Sequence, residues 1–264
     1  MKPFLVFSSV GESSRHAGWL QGADNFDLAL VDYAGACPES PDYRLWRRPG
    51  TKWPNFDFLL EVWPEAAGYA AIAVLDDDLE INGAALGRMF EVFQEQALWL
   101  AQPSLRGDSA YSWAFTLQRP YLLLRYNAFV ENNFTVLRGR DCAALRPAFA
   151  RARSGYGLDW ALPQLLQAPP QRVAVIDEVC GYHPLRPCTL GDRGQHADEG
   201  DELCRRLGVT PLRPLETGFL LNQSGRRWAE QGAGEREIYT AATRFAYSQM
   251  SHTFVPHRHG QASG

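Results

Sequence analysis

A continuous apolar run that ends in three aspartates constrains this chain more than any other part of its sequence. Residues 69–75 read Tyr-Ala-Ala-Ile-Ala-Val-Leu, and Asp76, Asp77 and Asp78 follow directly. A run without alternation of polar and apolar residues is typical of a strand that is covered on both faces. Three adjoining carboxylates repel one another, and a divalent cation removes that cost. The pattern predicts a metal site at the end of a central strand, although acids are also common in a solvated turn before a helix.

The other segments alternate between short apolar runs and stretches with helical spacing. We predict strands at residues 4–7, 27–31, 69–75, 99–101 and 173–176, with further strands of mixed direction within 109–137. We predict helices at 54–63, 82–96, 142–151, 158–167, 202–207 and 235–248, and polar loops at 34–49 and 191–200. Strands that alternate with helices predict an α/β fold: a mixed, mainly parallel, Rossmann-like sheet flanked by helices.

The composition excludes several classes of protein. The chain has 264 residues and a formal net charge of −4, so it has no general basic field for nucleic acid. Its five cysteines are odd in number and form no CxxC pair, which favours reduced thiols over a cysteine metal site. We expect no transmembrane segment and a cytoplasmic protein, because no apolar stretch approaches about 18 residues. After Pro187 the sequence becomes more polar, which predicts a domain at residues 1–187 and a C-terminal helical extension with a flexible tail at 188–264.

Several polar residues follow predicted strands. Asp32 and His183 each come just after one, as the aspartate triplet does. Ligands in α/β sheets sit at the carboxyl ends of the strands, so we expect these residues to share one site. A neutral imidazole is a good ligand for Mn²⁺, although a lone histidine in a loop often has no such role. Lys52 is one of two lysines and could contact phosphate or acceptor; an ordinary surface lysine is the alternative.

A glycine-rich segment, Ser-Gly-Tyr-Gly-Leu-Asp-Trp at residues 154–160, is the second informative pattern. Its two glycines allow an unusual turn. Asp159 could deprotonate an acceptor hydroxyl, and the ring of Trp160 could stack on a sugar. The alternative is a helix N-terminal acid beside a core tryptophan. The chain contains no GxxxxGK[ST], GxGxxG or GxSxG motif, and Glu80 breaks the pattern of haloacid-dehalogenase-type phosphatases. A metal-dependent nucleotidyltransferase stays open.

Taken in order, blocks of this sequence resemble the glycosyltransferase-like family called domain of unknown function 707. The similarity covers about residues 4–187. The blocks are Phe7-Ser8-Ser9-Val10-Gly11, Asn25-Phe26-Asp27-Leu28, Asp32-Tyr33, Lys52-Trp53-Pro54-Asn55, Asp76-Asp77-Asp78, residues 98–105, Leu124-Arg125-Tyr126, Phe129-Val130-Glu131 and residues 154–160.

The resemblance implies a GT-A-like fold and a catalytic domain at residues 1–187. By analogy with GT-A enzymes, Asp76–Asp78 would match the DxD motif, Asp159 the catalytic base of inverting members, and His183 a late metal ligand. We therefore expect a glycosyltransferase that moves a sugar from a nucleotide-sugar donor to a carbohydrate or other hydroxyl acceptor, with inversion and with Mn²⁺ or Mg²⁺. The expected metal ligands are Asp76, Asp78 and His183; the expected donor contacts are Ser8, Ser9, Asp32, Lys52, Asp76, Asp77, Asp78 and Trp160. A non-catalytic sugar- or nucleotide-binding protein on the same fold is the alternative.

Overall fold

The structure, a computed structural model, describes residues 1–22, 24–184 and 193–250. Within them, one sheet of nine strands runs in the order β3-β2-β1-β4-β7-β5-β8-β6-β9. Its strands are β1 (Phe4–Val10), β2 (Phe26–Asp32), β3 (Arg44–Arg47), β4 (Ala71–Leu75), β5 (Leu100–Leu105), β6 (Leu122–Tyr126), β7 (Phe134–Arg138), β8 (Val173–Gly181) and β9 (Gly218–Leu221). β6 and β7 run antiparallel to their neighbours, and the other strands share one direction. The expected α/β class with a mixed, mainly parallel sheet is confirmed.

Helices cover both faces of the sheet. They are α1 (His16–Trp19), α2 (Lys52–Val62), α3 (Gly83–Glu95), α4 (Cys142–Phe149), α5 (Leu158–Leu165), α6 (Arg193–Leu207), α7 (Gln223–Glu230) and α8 (Glu235–Ser248). Asn82 caps α3 as predicted, and its side chain accepts a hydrogen bond from the N–H of Ala85 at 2.8 Å. None of the helices in these residues is long and apolar enough to cross a membrane.

Alternation along β4 explains why its sequence is apolar throughout. Ala73 and Leu75 pack in the core cluster that contains α3, while Ile72 and Val74 pack in the opposite cluster with α2 and α4. Successive side chains of a strand point to opposite faces, so a strand between two helical layers needs apolar residues at every position. The run predicted as a central strand is confirmed, and the aspartate triplet begins where its two-sided cover ends.

Two predicted loops were wrong, and three short elements were missed. β3 lies inside the predicted loop at 34–49; its sequence, Arg-Leu-Trp-Arg, is short and partly exposed, as expected for a charged edge strand. The predicted loop at 191–200 contains the start of α6. The described buried residues in this part, His196, Ala197 and Gly200, include no large apolar side chain, so the sequence shows no apolar helical pattern there. α1, α7 and β9 were not predicted at all. The tail after Phe254 lies outside the described residues, and the domain boundary at residue 187 stays a prediction.

Candidate active site

The three aspartates leave β4 in three different directions. The Asp76 carboxylate lies 2.6 Å from Nζ of Lys52, at the start of α2. Asp77 accepts a hydrogen bond from the N–H of Gly11 at 2.9 Å, which holds the turn that follows β1. Asp78 is buried, and one of its oxygens lies 3.6 Å from Nε2 of His183. The triplet is therefore not a row of carboxylates in water, because each member contacts a separate segment.

Asp76, Asp78 and His183 form a candidate metal site. Each offers one ligand atom, and these atoms all lie within 4.8 Å of one another. A short antiparallel bridge brings the histidine here: the N–H of Glu80 donates to the carbonyl of Tyr182 at 2.9 Å, and the N–H of Tyr182 donates back at 3.0 Å. The structure thus brings these three residues together at the carboxyl edge of the sheet, and their role as metal ligands stays a prediction.

A backbone carbonyl determines which ring nitrogen of His183 faces Asp78. Nδ1 lies 3.2 Å from the carbonyl oxygen of Ala110, which can only accept a hydrogen bond, so Nδ1 carries a hydrogen. In the neutral ring Nε2 then presents a lone pair to the Asp78 carboxylate, and two acceptors facing each other need a cation or a proton between them. A backbone carbonyl that orients a histidine in this way is the usual support of a metal ligand.

Ser8, Ser9 and Asp32 use their polar atoms inside the protein, which corrects the expectation that they contact the donor directly. Ser8 is fully buried, and its hydroxyl donates to the carbonyl of Leu75 at 3.0 Å. The Ser9 hydroxyl accepts from the side-chain amide of Asn55 at 2.7 Å. Asp32 accepts from the N–H groups of residues 34, 35 and 37. Burial by itself raises the pKa of Asp32, but these hydrogen bonds outweigh it and the pKa is lowered. The three residues shape the loop edge of the sheet.

Trp160 was expected to contact the donor, but it lies in the core of the protein. Its side chain is 2% exposed and belongs to an apolar cluster with Phe115, Phe129, Val175 and Cys204. No face of the ring is open to stack on a sugar, so the alternative of a core tryptophan is correct here.

Asp159 lies in the first turn of α5, in a buried position. Its carboxylate accepts the N–H of Trp160 at 3.1 Å, and burial raises its pKa to about 7. Gly157 precedes the helix with a φ of +84°, and a side chain there would meet the carbonyl of Gly200 at 2.6 Å. This glycine is therefore needed for the turn that presents Asp159.

Glu131 is a second buried acid to which the sequence interpretation gave no role. Its Oε1 accepts the N–H groups of Ser112 at 3.0 Å and Trp113 at 3.1 Å. Burial, together with the charge of Asp159, raises its pKa to about 8. The signal in the sequence is a lone acid at the end of an apolar stretch, directly before Asn132 and Asn133. Two interacting carboxyls with pKa values near neutrality are the kind of pair that carries acid–base chemistry.

The loop at residues 131–133 joins the candidate metal site to these two acids. Lys52, which pairs with Asp76, also donates to the carbonyl of Asn132. The Asn132 side chain donates in turn to the carbonyl of Gly155 at 3.0 Å, in the turn before Asp159. The N–H of Asp76 donates to the carbonyl of Asn133 at 2.9 Å. Residues far apart in sequence thus form one continuous polar region, with Lys52 at its centre.

The two raised carboxyl pKa values predict how stability depends on pH. Ordinary carboxyl pKa values lie near 4, so between about pH 5 and 7 the folded protein holds protons that the unfolded chain has released. Stability then falls as pH rises, by up to about 1.4 kcal/mol per pH unit for each such proton. Urea unfolding from pH 5 to 7 should show a flatter dependence for Glu131→Gln than for the unaltered protein. Glu65→Gln, at an exposed acid, should follow the unaltered protein; parallel curves for all three would contradict the prediction.

Comparison with known proteins leaves the family open. No family model and no curated protein matches the chain, so the resemblance to domain of unknown function 707 stays a prediction. Among solved structures, S. aureus TarS aligns at 13% identity and a TM-score of 0.48, over 78% of this chain and 39% of that one. TarS 1–349 aligns at 14% and 0.47, over 78% and 64% of the two chains. TarS 1–349 in complex with UDP-GlcNAc aligns at 14% and 0.49, over 80% and 68%. Because these three TM-scores are below 0.5, the likenesses assign no function to this chain.

Proposed function

We propose that this chain is a metal-dependent glycosyltransferase that moves a sugar from a nucleotide-sugar donor to a hydroxyl acceptor. The observation that carries the proposal is the convergence of Asp76, Asp78 and His183 at the carboxyl edge of the sheet. A connected pair of buried acids, Asp159 and Glu131, adds groups suited to proton transfer. A bound cation stabilises the leaving diphosphate, and a base with a pKa near neutrality takes the proton of the acceptor hydroxyl. Both groups suit the transfer of a sugar from a nucleotide-sugar to a hydroxyl.

The ligand set fits a divalent cation. Carboxylate oxygens suit both Mg²⁺ and Mn²⁺, and an imidazole nitrogen favours Mn²⁺. Asp76, Asp78 and His183 would hold the ion, and the carbonyl of Ala110 keeps the histidine ring oriented. When bound, the cation supplies positive charge next to the donor diphosphate. Lys52, beside Asp76, adds a second positive charge at the same place.

Asp159 acts as the general base in this proposal. Its carboxylate takes the proton of the acceptor hydroxyl, whose oxygen forms a bond to the anomeric carbon. The bond from that carbon to the nucleoside diphosphate breaks, and the diphosphate leaves with the electron pair. A single displacement from the opposite face inverts the anomeric configuration. Glu131 holds its own proton near neutral pH and so keeps a second negative charge away from Asp159.

Cation-dependent donor binding tests the metal site directly. A ligand at 100 times its Kd stabilises a protein by about 2.7 kcal/mol, which raises the Tm of a chain of this size by about 5–10 °C. We expect Mn²⁺ together with one of UDP, GDP or CDP to produce such a shift, measured by thermal unfolding. Asp78→Ala should abolish it, while Asp108→Ala, at an exposed acid on the β5–β6 connection, should retain it.

A turnover assay then separates the proposed activity from its alternatives. A panel of nucleotide sugars is incubated with Mn²⁺ and the released nucleoside diphosphate is measured. Release that disappears in Asp78→Ala supports the transferase. Release of pyrophosphate from nucleoside triphosphates would identify a nucleotidyltransferase instead, and binding without any release would identify a non-catalytic sugar- or nucleotide-binding protein.

A further inference from the structure

A cavity of about 560 Å³ lies at the edge of the sheet opposite the candidate active site. Phe4 and Ala71, at the starts of β1 and β4, line it together with Trp99 before β5, Arg138 at the end of β7 and Arg172 before β8. Asp76 follows β4 at its other end, so the length of that strand, about 16 Å, separates the two sites. The volume falls within the range of about 300–1,000 Å³ that is typical of small-molecule sites.

The walls of this cavity are mostly apolar. Its lining includes Phe4, Phe93 and Leu98, which belong to the core, and several alanines near its mouth. Gly68 is an exposed residue of the lining, and a side chain there would meet no atom within 4 Å. Small residues at the mouth and large apolar residues at the base leave room for an apolar chain, and filling that room removes apolar surface from water.

The charged groups of the cavity all have one sign. Three arginines line it, Arg138, Arg140 and Arg172, and its lining contains no aspartate or glutamate. Arg138 pairs with nearby Asp141 and lies 3.8 Å over the ring of Trp99, and Arg172 donates to the carbonyl of Gln96 at 3.1 Å. Arg140 is exposed, and within the described residues its guanidinium has neither an ion pair nor a hydrogen bond. The chain as a whole has a net charge of −4, but the charged residues that line this cavity are all arginines.

We propose that this cavity binds a single-chain lipid anion. The alkyl chain occupies the apolar interior, and the phosphate or carboxylate head group pairs with the arginines at the mouth. Guanidinium groups match such head groups because they donate two parallel hydrogen bonds to one anion. Charge complementarity selects this occupant over a neutral lipid, and the apolar base selects it over a free inorganic anion. The site is separate from the proposed transferase site and shares no residue with it.

Decyl phosphate, below the concentration at which it forms micelles, is the probe, and isothermal titration measures its binding to the full chain. Gly68→Trp fills the open space, and we expect it to weaken binding at least tenfold. Arg140→Gln removes one charge-assisted hydrogen bond and should weaken binding about tenfold. Two matched changes are at residues that do not line the cavity. Gly234→Trp, directly before α8, is at a glycine where a side chain also meets open space, and Arg244→Gln is at an exposed arginine of α8. Both should bind as the unaltered protein does.

Two further ligands separate the contributions of the head group and the chain. Decyl maltoside has the chain without the charge, and inorganic phosphate has the charge without the chain; each should bind at least tenfold more weakly than decyl phosphate. Equal binding of inorganic phosphate would overturn the proposal in favour of a plain anion site, and equal binding of the maltoside would overturn it in favour of a neutral apolar site. Decyl phosphate binding that both Gly68→Trp and Arg140→Gln leave unchanged would place the ligand elsewhere. Circular dichroism of each variant confirms that it is folded.

Discussion

Replacing Arg125 with alanine is expected to lower the free energy of unfolding by about 3–5 kcal/mol, because the change leaves the buried carboxylate of Asp177 without its ion-pair partner. The Arg125 side chain is 0% exposed, and it donates to both oxygens of Asp177, at 2.7 and 3.0 Å. It also contacts Glu216 at 3.1 Å and donates to the carbonyls of Phe115 and Leu117. This arginine thus satisfies five acceptors at once, in the interior of the protein.

Urea unfolding at pH 7 measures this effect, and the chain contains a matched control. Arg88 also contacts three carboxylates, Glu91, Glu95 and Glu178, at 2.9–3.0 Å, but its side chain is 36% exposed. Arg88→Ala should cost at most about 1 kcal/mol, since water screens exposed ion pairs. Similar losses in the two variants would show that the count of ion pairs matters and that burial does not.

A double variant separates the uncompensated charge from lost packing. Arg125→Met keeps much of the side-chain volume but leaves Asp177 charged and buried. Adding Asp177→Asn removes that charge, while its amide oxygen can still accept the N–H of Arg119, which donates to Asp177 at 2.8 Å. We expect the double variant to be more stable than Arg125→Met alone. Additive losses would assign the effect to packing.

The same cluster shows why the role of the C-terminal part was hard to predict. Glu216 contacts Arg119 at 2.6 Å as well as Arg125, and Tyr239 of α8 donates to it. β9 then pairs with β6, so residues beyond 187 complete the sheet and part of its buried charge network. The local sequence does not indicate that β9 is a strand, because β9 has only four residues and its pairing depends on residues distant in sequence. By contrast, β4 and α3 were predictable because each carries a long run of one residue pattern within its own sequence.

The residues of the candidate site were also predictable only in part. Residues just past strand ends converge for topological reasons, so Asp76, Asp78 and His183 could be grouped from sequence alone. Whether a polar atom faces the site or the interior depends on the exact turn, and sequence gives little information on it. For this reason Ser8, Asp32 and Trp160 were expected to face the donor, whereas their side chains are buried in the protein. Glu131 was missed because a single acid acquires a raised pKa only through burial, which tertiary packing determines.

If the proposed function is correct, Asp159→Asn should reduce kcat by about 100- to 10,000-fold, because it removes the base that takes the acceptor proton. The change is nearly isosteric, and the amide oxygen can still accept the N–H of Trp160, so the turn before α5 should persist. Thermal shift with Mn²⁺ and nucleotide should stay unchanged, since the metal ligands are untouched. Asp24→Asn, at an exposed acid before β2, is the control and should retain full activity.

The pH dependence of turnover distinguishes a base from a merely structural acid. In the unaltered protein the rate should rise with pH through an apparent value near 7, which belongs to the coupled pair of Asp159 and Glu131. Asp159→Asn should lose this rise along with most of the rate, while Glu131→Gln should keep substantial activity and a rise near the same pH, because Glu131 is already protonated and uncharged where Asp159 titrates. Full activity in Asp159→Asn would exclude it as the base. The reverse pattern, with the loss confined to Glu131→Gln, would transfer the role to Glu131 and leave the metal site as proposed.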